Sequence, residues 1–195
     1  WWRNNFYADD EDYSEINKDA VFSKPGANRL IYLPYLNGEQ SPHFNLTCRG
    51  SFVGLAAIHT KADMTRAVLE GVTYALRDIM TGIRNTGIEP ENVRMCGGGS
   101  KSPFWRQLLA DIYDLPVALP DMNSENSAAL GVAILAAVGT GAYKSVPEAC
   151  DKIVKMRQEI YLPNEEKVRI YNKVYKEFDA LYPKLKDNFK SILEL

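Results

Sequence analysis

The fold of this chain is decided by the stretch VRMCGGGSKSPFWRQLLADIYDLPVALP, residues 93–120. Residues 93–96 predict a short strand, residues 103–113 repeat apolar side chains at helical spacing, and residues 117–120 predict a second strand. An Ala-rich segment from about residue 127 to 138 predicts another helix. Because this order alternates strands with helices, it predicts an α/β domain in which helices cover the sheet.

Three glycines stand at the turn between the first strand and its helix: Gly97, Gly98 and Gly99. They remove every Cβ from a place where the backbone could approach a ligand, and the helix beyond them presents unpaired N–H groups. Ser102 is expected to be the N-cap, with Pro103 at the first helical position. Such a turn can hold a purine nucleotide. A tight structural turn explains the same residues about equally well.

The same spacing has a second interpretation as a dinucleotide-binding fingerprint. Gly97-x-Gly99-x-x-Ser102 is close to GxGxxG, and Asp121 follows roughly 20 residues on, where a ribose-binding acid would lie. Ser102 replaces the third glycine, and the motif lies mid-chain behind a long helix. Both features weaken this interpretation, but spacing alone leaves it open.

Upstream of the turn, the strongest periodicity predicts a helix from about Ala62 to Arg84. Thr60 and Asp63 form a capping-box variant at its start, and Gly87 supplies a left-handed stop beyond its end. We expect its apolar stripe, including Leu76, to face the core. The residues expected to face solvent are Arg66, Glu70, Thr73, Arg77 and Arg84.

The remaining elements are predicted with shorter patterns. Residues 9–24 are acidic and indicate a short helix and loop, and short strands are expected within 30–36 and 50–55. Residues 165–195 predict an amphipathic tail helix, which Pro183 should end or kink.

Composition excludes several classes of protein. The 195 residues are 46% apolar and 25% charged, as in a folded domain with one sizeable core. A net charge of -2 offers no field that would attract nucleic acid or an anionic membrane surface. The most apolar stretch, 128–139, is shorter than the ~20 residues that cross a bilayer. We therefore expect neither nucleic acid nor membrane as a partner.

The cysteines and histidines are few and scattered. Cys48, Cys96 and Cys150 form no CxxC pair, so neither a zinc site nor a disulfide framework is predicted. This pattern favours a reducing compartment and hence the cytoplasm. His43 and His59 have no paired ligand nearby, and we expect packing or surface roles for both.

Acidic side chains near the glycine turn are candidates for phosphoryl-transfer chemistry. They are Asp111, Asp114, Asp121 and Glu125. Asp111 and Asp114 lie on or after the helix, where a solvated charge is the commoner role. Trp105, in the same helix, is expected to belong to the core and not to a stacking platform.

One resemblance covers most of the chain. GSFVGL at Gly50–Leu55, followed after seven residues by DMTRAVLE at Asp63–Glu70, resembles the C-terminal signature of the FGGY carbohydrate kinase family. The segments LPYLNGEQSPHFN (33–45) and GGGSKSPFWRQLLAD (97–111) are similar to its xylulokinase branch. The chain departs from that branch at Gln40, where arginine is usual.

The resemblance implies an actin-like, ribonuclease-H-like ATPase fold with a mixed sheet, in which two domains enclose a cleft. It implies ATP and Mg²⁺ as cofactors and transfer of the γ-phosphate to a ketopentose hydroxyl, D-xylulose giving xylulose 5-phosphate. By the same resemblance, Gly97, Gly98 and Gly99 meet the nucleotide, Ser102 touches the adenine, and Trp1 and Trp2 begin a helix that borders the pocket. No residue matches the family's catalytic Asp, which implies that this base lies in an absent N-terminal half.

The expected organisation follows from that likeness. Residues 1–29 would be a truncated helix and loop, residues 30–162 the nucleotide-binding domain, and residues 163–195 a helix packed on it. We expect the chain to need its missing N-terminal domain for activity and to have a possible homodimeric state. Alternatives are another kinase of the family, of the ribulokinase, gluconokinase or glycerol kinase type, or a catalytically silent nucleotide-binding or dimerisation module.

Overall fold

The computed structural model describes residues 1–8, 12–122 and 126–195. The α-helices are α1 (Trp2–Phe6), α2 (Tyr13–Val21), α3 (Lys61–Asn85), α4 (Pro103–Tyr113), α5 (Ser127–Gly139), α6 (Val146–Ile153) and α7 (Glu165–Leu193). The strands are β1 (Ile31–Leu33), β2 (Ser51–Val53), β3 (Val93–Arg94), β4 (Val117–Pro120) and β5 (Met156–Tyr161). Short 3-10 turns occupy Ala27–Arg29 and Gly98–Lys101.

The predicted strand–helix–strand unit is confirmed. β3 and β4 are parallel, with Val93 opposite Val117, and α4 forms the crossover between them. β5 then joins β4 in the antiparallel direction, with Tyr161 opposite Val117, so the order in the sheet is β3-β4-β5. The sheet is therefore mixed, as expected. β1 and β2 form a separate antiparallel pair.

Helix α3 is held against β1 by a close backbone approach. A Cβ on Gly71 would lie 2.1 Å from the carbonyl oxygen of Tyr32, so only glycine allows this contact. Thr60 and Asp63 form the predicted capping box at the start of the helix, and Gly87 has a φ of 87° beyond its end. The helix limits agree with the prediction to within one residue.

The predicted orientation of α3 is right at Ala67 and Gly71, which are buried, and wrong at many other positions. Arg66, Glu70 and Thr73, expected in solvent, are buried, whereas Leu76 is 41% exposed. Ile79 and Ile83 are similarly exposed, at 38% and 39%. Arg77 and Arg84 are half-buried rather than solvated. The physical reason is that the core side of α3 offers a matching set of polar partners, which no local periodicity can reveal.

Those partners form a network around Arg66. Its guanidinium donates to the Glu70 carboxylate at 2.7 Å, to the Ser23 carbonyl at 2.7 Å and to the Tyr171 hydroxyl at 2.6 Å. The backbone N–H of Gly26 also donates to Glu70, at 3.0 Å. The network thus ties α3 to α7 and to the segment that follows α2. Complete burial raises the pKa of Glu70, and the charge of Arg66 opposes that rise.

The second half of the chain contains elements that the sequence did not indicate. Helix α6 begins at the Ser145 cap, whose hydroxyl accepts from the N–H of Glu148, and β5 completes the sheet. The tail helix α7 is confirmed, but Pro183 does not end it. Its buried residues Tyr171 and Phe178 join the main core, which also contains Leu108, Ile112 and Val117.

Two findings complete the architecture. Cys48, Cys96 and Cys150 are free thiols. Within 1–8, 12–122 and 126–195, none of the helices combines the length and apolar character needed to cross a membrane.

Candidate functional site

A large cavity, of about 950 Å³, opens beside the glycine turn. Gly98, Gly99 and Ser102 line one side of it. Helices α1 and α2 and one face of α3 line the others, with Val68 and Val72 on α3. We call it the glycine-turn cavity. The structure therefore brings three of the four predicted site residues together on one wall.

The three glycines of the turn have different physical reasons to be glycine. Gly97 has a φ of 82°, a conformation that favours glycine. A Cβ on Gly99 would lie 2.9 Å from the ring of Trp105, so this position is restricted by packing. A Cβ on Gly98 would meet nothing within 4 Å, although Gly98 lines the cavity. Protein packing alone therefore gives no reason for glycine at residue 98, whereas a bound ligand would.

Ser102 has the predicted capping role and also lines the cavity. Its hydroxyl accepts the N–H of Trp105 at 3.1 Å, and Pro103 occupies the first helical position. The side chain is buried, at 7% exposure. Ser102 therefore fixes the direction in which α4 leaves the turn, and its contact with a nucleotide stays a prediction.

Aromatic rings supply much of the remaining wall. Trp1, Trp2, Tyr13, Phe104 and Trp105 all line the cavity. Trp105 is half-buried and contributes both to the core and to this wall, so its expected confinement to the core is only partly right. Tyr13 and Phe104 were not predicted as site residues, because only the tertiary approach of α2 and α4 brings them to the cavity.

Hydrogen bonds hold two of these rings in place. The indole of Trp2 donates to the Thr65 hydroxyl at 3.1 Å, and that of Trp105 donates to the Thr73 hydroxyl at 3.0 Å. The Tyr7 hydroxyl bonds Thr65 and Asp19, each at 2.8 Å, and burial is the main cause that raises the pKa of Tyr7 to about 12. Aromatic rings of α1 and α4 are thus held by hydroxyl groups of α3.

The lining combines this apolar surface with a few charges. Lys101 follows the glycines, Arg3 and Lys18 come from α1 and α2, and Asp12 caps α2. Apolar, aromatic walls suit a planar ring, and a cation beside exposed glycine backbone suits an anionic group. The arrangement can hold a ligand that has both parts.

The candidate acids lie elsewhere. Asp111, expected in solvent, is 2% exposed. Its carboxylate accepts from the Asn164 N–H at 2.9 Å and from the Gln107 amide at 2.8 Å, so it anchors the start of α7. Asp114 is exposed as expected, and Asp121 lies 3.9 Å from Arg157. Glu125 is outside the described residues, as are residues 9–11 of the acidic segment.

Both histidines have the packing roles that were predicted. His43 stacks on Tyr182 with ring centroids 3.6 Å apart, and burial lowers its pKa. His59 accepts the Ala56 N–H at 2.9 Å through Nδ1, and its Nε2 lies 3.1 Å from the Asn28 carbonyl oxygen. His59 thereby joins two loops near the start of α3.

Comparison with known proteins identifies what the chain is similar to. The family model for the FGGY family of carbohydrate kinases, C-terminal domain, matches residues 1–140. A xylulose kinase of Staphylococcus epidermidis is 38% identical over 195 residues, which is 100% of this chain and 38% of that protein. A gluconokinase of Bacillus licheniformis is 34% identical over 92% of this chain and 34% of its own length.

Solved structures show the same likeness. The crystal structure of ligand-bound xylulose kinase from Lactobacillus acidophilus superposes with a TM-score of 0.88 at 29% identity. The match covers 98% of this chain and 38% of that one. The chain therefore spans well under half the length of the relatives that it matches.

Proposed function

The chain belongs to the FGGY family of carbohydrate kinases and has the actin-like fold of its C-terminal domain, and from this we propose that it is the nucleotide-binding part of an ATP-dependent sugar kinase. The reaction would transfer the γ-phosphate of ATP to a hydroxyl of a ketopentose. D-xylulose, giving xylulose 5-phosphate, is the substrate that we favour. The family assignment leaves the dinucleotide interpretation of the glycine turn without support.

The observation that carries the proposal is the position of Gly98. It lines a cavity of about 950 Å³, a Cβ there would meet no atom of the protein within 4 Å, and aromatic side chains stand across the same space. Backbone without side chains next to an aromatic cleft suits a purine ring and its ribose. Gly99 and Ser102 complete this wall, and Lys101 supplies a positive charge for the phosphates.

The division of labour in phosphoryl transfer supports a site that is shared with another part of the enzyme. Positioning of the nucleotide and neutralisation of its charge are separable from removal of the proton from the sugar hydroxyl. We assign the first task to the glycine-turn cavity. The proton acceptor would be an Asp outside residues 1–195, and we assign no catalytic residue within them.

Magnesium is expected from the resemblance to the family. Across the described residues, no group of three or more His, Cys, Asp or Glu side chains could hold a metal ion. The described residues therefore do not form a magnesium site of their own. We assign no step of the reaction to a metal held by this chain.

The sugar that we propose as substrate is taken from the sequence identities to the relatives. The chain is 38% identical to a xylulose kinase over its whole length, which favours a ketopentose. A gluconokinase at 34% identity favours an aldonic acid as the second candidate. The glycine-turn cavity does not separate the two, since it is assigned to the nucleotide.

Two measurements test the proposal. Calorimetric titration of the 195-residue chain with ATP should show one site, with GTP and NAD⁺ binding at least tenfold more weakly. A coupled assay of the longer enzyme with D-xylulose, D-ribulose, D-gluconate and glycerol should give the highest kcat/KM with D-xylulose. Absence of ATP binding would reject the nucleotide site, whereas the highest kcat/KM with gluconate would reject only the choice of sugar.

The 195-residue chain alone should turn over no sugar, because positioning of both substrates supplies much of the rate. ATP consumption with D-xylulose above a protein-free blank would contradict this. The domain boundaries at residues 29 and 162, the homodimer and the cytoplasmic location stay predictions.

A further inference from the structure

A second, smaller cavity of about 190 Å³ also borders the glycine turn. Its wall includes three cationic side chains, Lys101, Arg106 and Arg157, and none of the described residues that line it is acidic. We call it the cationic cavity. It shares only Lys101 with the glycine-turn cavity. Pockets for drug-sized ligands measure roughly 300–1,000 Å³, so the cationic cavity suits a small anion and not a whole nucleotide.

Arg106 of α4 is 9% exposed, and the protein uses only part of its guanidinium. Its Nε donates to the Ser100 carbonyl, and its Nη1 donates to the Tyr161 hydroxyl at 3.0 Å and to the Glu159 carboxylate at 3.3 Å. Among the described residues, Nη2 has no acceptor. A guanidinium presents its N–H groups as a planar fork that matches the oxygens of a phosphate. The buried cation is therefore held in place with one nitrogen available to a ligand.

Arg157 of β5 is the second arginine of the wall and has almost no partner of its own. Its Nε lies 3.9 Å from the Asp121 carboxylate, which is beyond hydrogen-bond distance. No residue in the described part of the chain accepts a hydrogen bond from it. An ion pair this long, between side chains that are 44% and 66% exposed, contributes little. Arg157 can therefore turn to an anion in the cavity at small cost.

The remaining wall indicates which anion fits best. It contains an apolar part and two small polar side chains, Cys96 and Ser100; the apolar residues are Met95, Leu119, Pro120 and Met122. A phosphate group carries more charge and more acceptor oxygens than a carboxylate, so it is better matched to three cations from three different elements. The apolar part suits the carbon skeleton of a phosphate ester.

We propose that the cationic cavity binds a phosphate group, either inorganic phosphate or the phosphate of a small monoester. Arg106 and Arg157 donate to its oxygens, and Lys101 adds a third positive charge. The site does not rest on the proposed function, because it is separate from the glycine-turn cavity. The product of the proposed reaction, xylulose 5-phosphate, is a monoester of this class.

Calorimetric titration of the 195-residue chain with inorganic phosphate, at constant ionic strength, tests the site. One site is expected, and Arg157→Gln should weaken binding at least tenfold because it removes a cation that contacts the anion. Arg169→Gln removes the same charge from an exposed position of α7 and should change the affinity less than twofold. Because Arg157 is held by no hydrogen bond among the described residues, Arg157→Gln should melt within 2 °C of the parent chain.

Titration with xylulose 5-phosphate distinguishes the two sources of the phosphate group. Binding at least tenfold tighter than that of inorganic phosphate would assign the site to a monoester, and equal binding would assign it to the free anion. Absence of binding by both would overturn the proposal, as would equal weakening by Arg157→Gln and Arg169→Gln. Loss of phosphate binding in Gly98→Val, with binding kept in Arg157→Gln, would place the anion in the glycine-turn cavity and also overturn it.

ATP titration of Arg157→Gln separates this proposal from the proposed function. The variant should bind ATP as the parent chain does, since Arg157 is not among the residues that line the glycine-turn cavity. Equal weakening of ATP and phosphate binding would make the cationic cavity a part of the nucleotide site and would overturn the proposal. Absence of ATP binding with phosphate binding intact would reject only the nucleotide site.

The thiol of Cys96 gives a readout that needs no variant. Cys96 is exposed and lines the cationic cavity, whereas Cys150, on α6, does not line it and serves as an internal control. Saturating phosphate should slow alkylation of Cys96 by iodoacetamide, a neutral reagent, at least fivefold and leave the rate at Cys150 unchanged. An unchanged rate at Cys96 would contradict the proposal.

Discussion

The two faces of α3 invert the usual relation between polarity and burial. The face toward the core carries Arg66, Glu70 and Asp78, each less than 10% exposed. The face toward solvent carries Leu76 and Ile79, each more than a third exposed. The comparison teaches that the charged residues of this helix are buried where partners are available to them, whatever their hydrophobicity.

The polar face is held by hydrogen bonds to several different elements, although one oxygen of the buried Glu70 carboxylate has no partner among the described residues. Arg66 reaches a carboxylate, two backbone carbonyls and a tyrosine hydroxyl, and the Asp78 carboxylate accepts from Tyr175 at 2.6 Å. Such groups contribute little net stability when complete, but they are costly to interrupt. The exposed apolar positions should show the opposite behaviour, with small effects on stability when they are substituted.

The largest effect should come from Arg66→Ala. It leaves the buried carboxylate of Glu70 without its cation, and we expect a loss of about 3–5 kcal/mol in the free energy of unfolding. Denaturant titration measures this. Arg169→Ala removes an ion pair whose arginine is 78% exposed and should cost less than about 0.5 kcal/mol. Similar losses of unfolding free energy in the two variants would show that the buried Arg66 network is no more important for stability than an exposed ion pair.

Asp78 gives the polar face a pH dependence. Burial is the main cause that raises the pKa of Asp78 to about 6, above its unfolded value of 3.8. Between these values the folded state binds more protons than the unfolded state, so this group makes the free energy of unfolding fall as pH rises from about 4 to about 6. Above pH 6 its effect is constant.

Asp78→Asn should therefore reduce that fall by roughly 2–3 kcal/mol. The variant keeps an oxygen that can accept from Tyr175. Urea titrations of the parent chain and the variant at pH 4, 5, 6 and 7 measure the difference between their free energies of unfolding. Titrating groups that both proteins share do not contribute to this difference. Parallel pH profiles would show that Asp78 titrates normally and is not buried as described.

Neighbouring residues on the two faces provide the next test. Arg77 donates to the Ile112 carbonyl at 2.8 Å and to the Asn172 side chain at 2.6 Å, so Arg77→Ala should cost about 2 kcal/mol. Leu76→Ala, at a partly exposed position, should cost less than about 1 kcal/mol. This order reverses the one that helical periodicity alone predicts. A larger loss of unfolding free energy from Leu76→Ala than from Arg77→Ala, measured by denaturant titration, would instead support the orientation of α3 that the sequence predicted.

Local signals in the sequence predicted most of the fold. The capping box at Thr60 and Asp63, the cap at Ser102 and the strand at residues 117–120 depend on neighbours a few residues away, and all were found as expected. Strand β5 was missed because it is exposed along nearly its whole length and shows no apolar alternation.

The part of the candidate site that belongs to a local sequence motif was predictable. The glycine turn is a local motif, and three of its four predicted residues line the cavity. The opposite wall was not predictable from spacing, since Tyr13 lies some 85 residues before the turn and reaches it only through the packing of α2. The buried role of Asp111 likewise depends on Asn164, which lies 53 residues away.

The most direct test of the nucleotide site compares two glycines that have equal room for a side chain. A Cβ would meet nothing within 4 Å at Gly98 on the turn or at Gly82 on α3, and only Gly98 is among the residues that line the cavity. Calorimetric ATP titration, beside a melting curve, should show that Gly98→Val weakens binding at least tenfold with a melting temperature within 3 °C of the parent chain. Gly82→Val should leave ATP affinity unchanged. Equal ATP affinity in a folded Gly98→Val variant and the parent chain would contradict the nucleotide site.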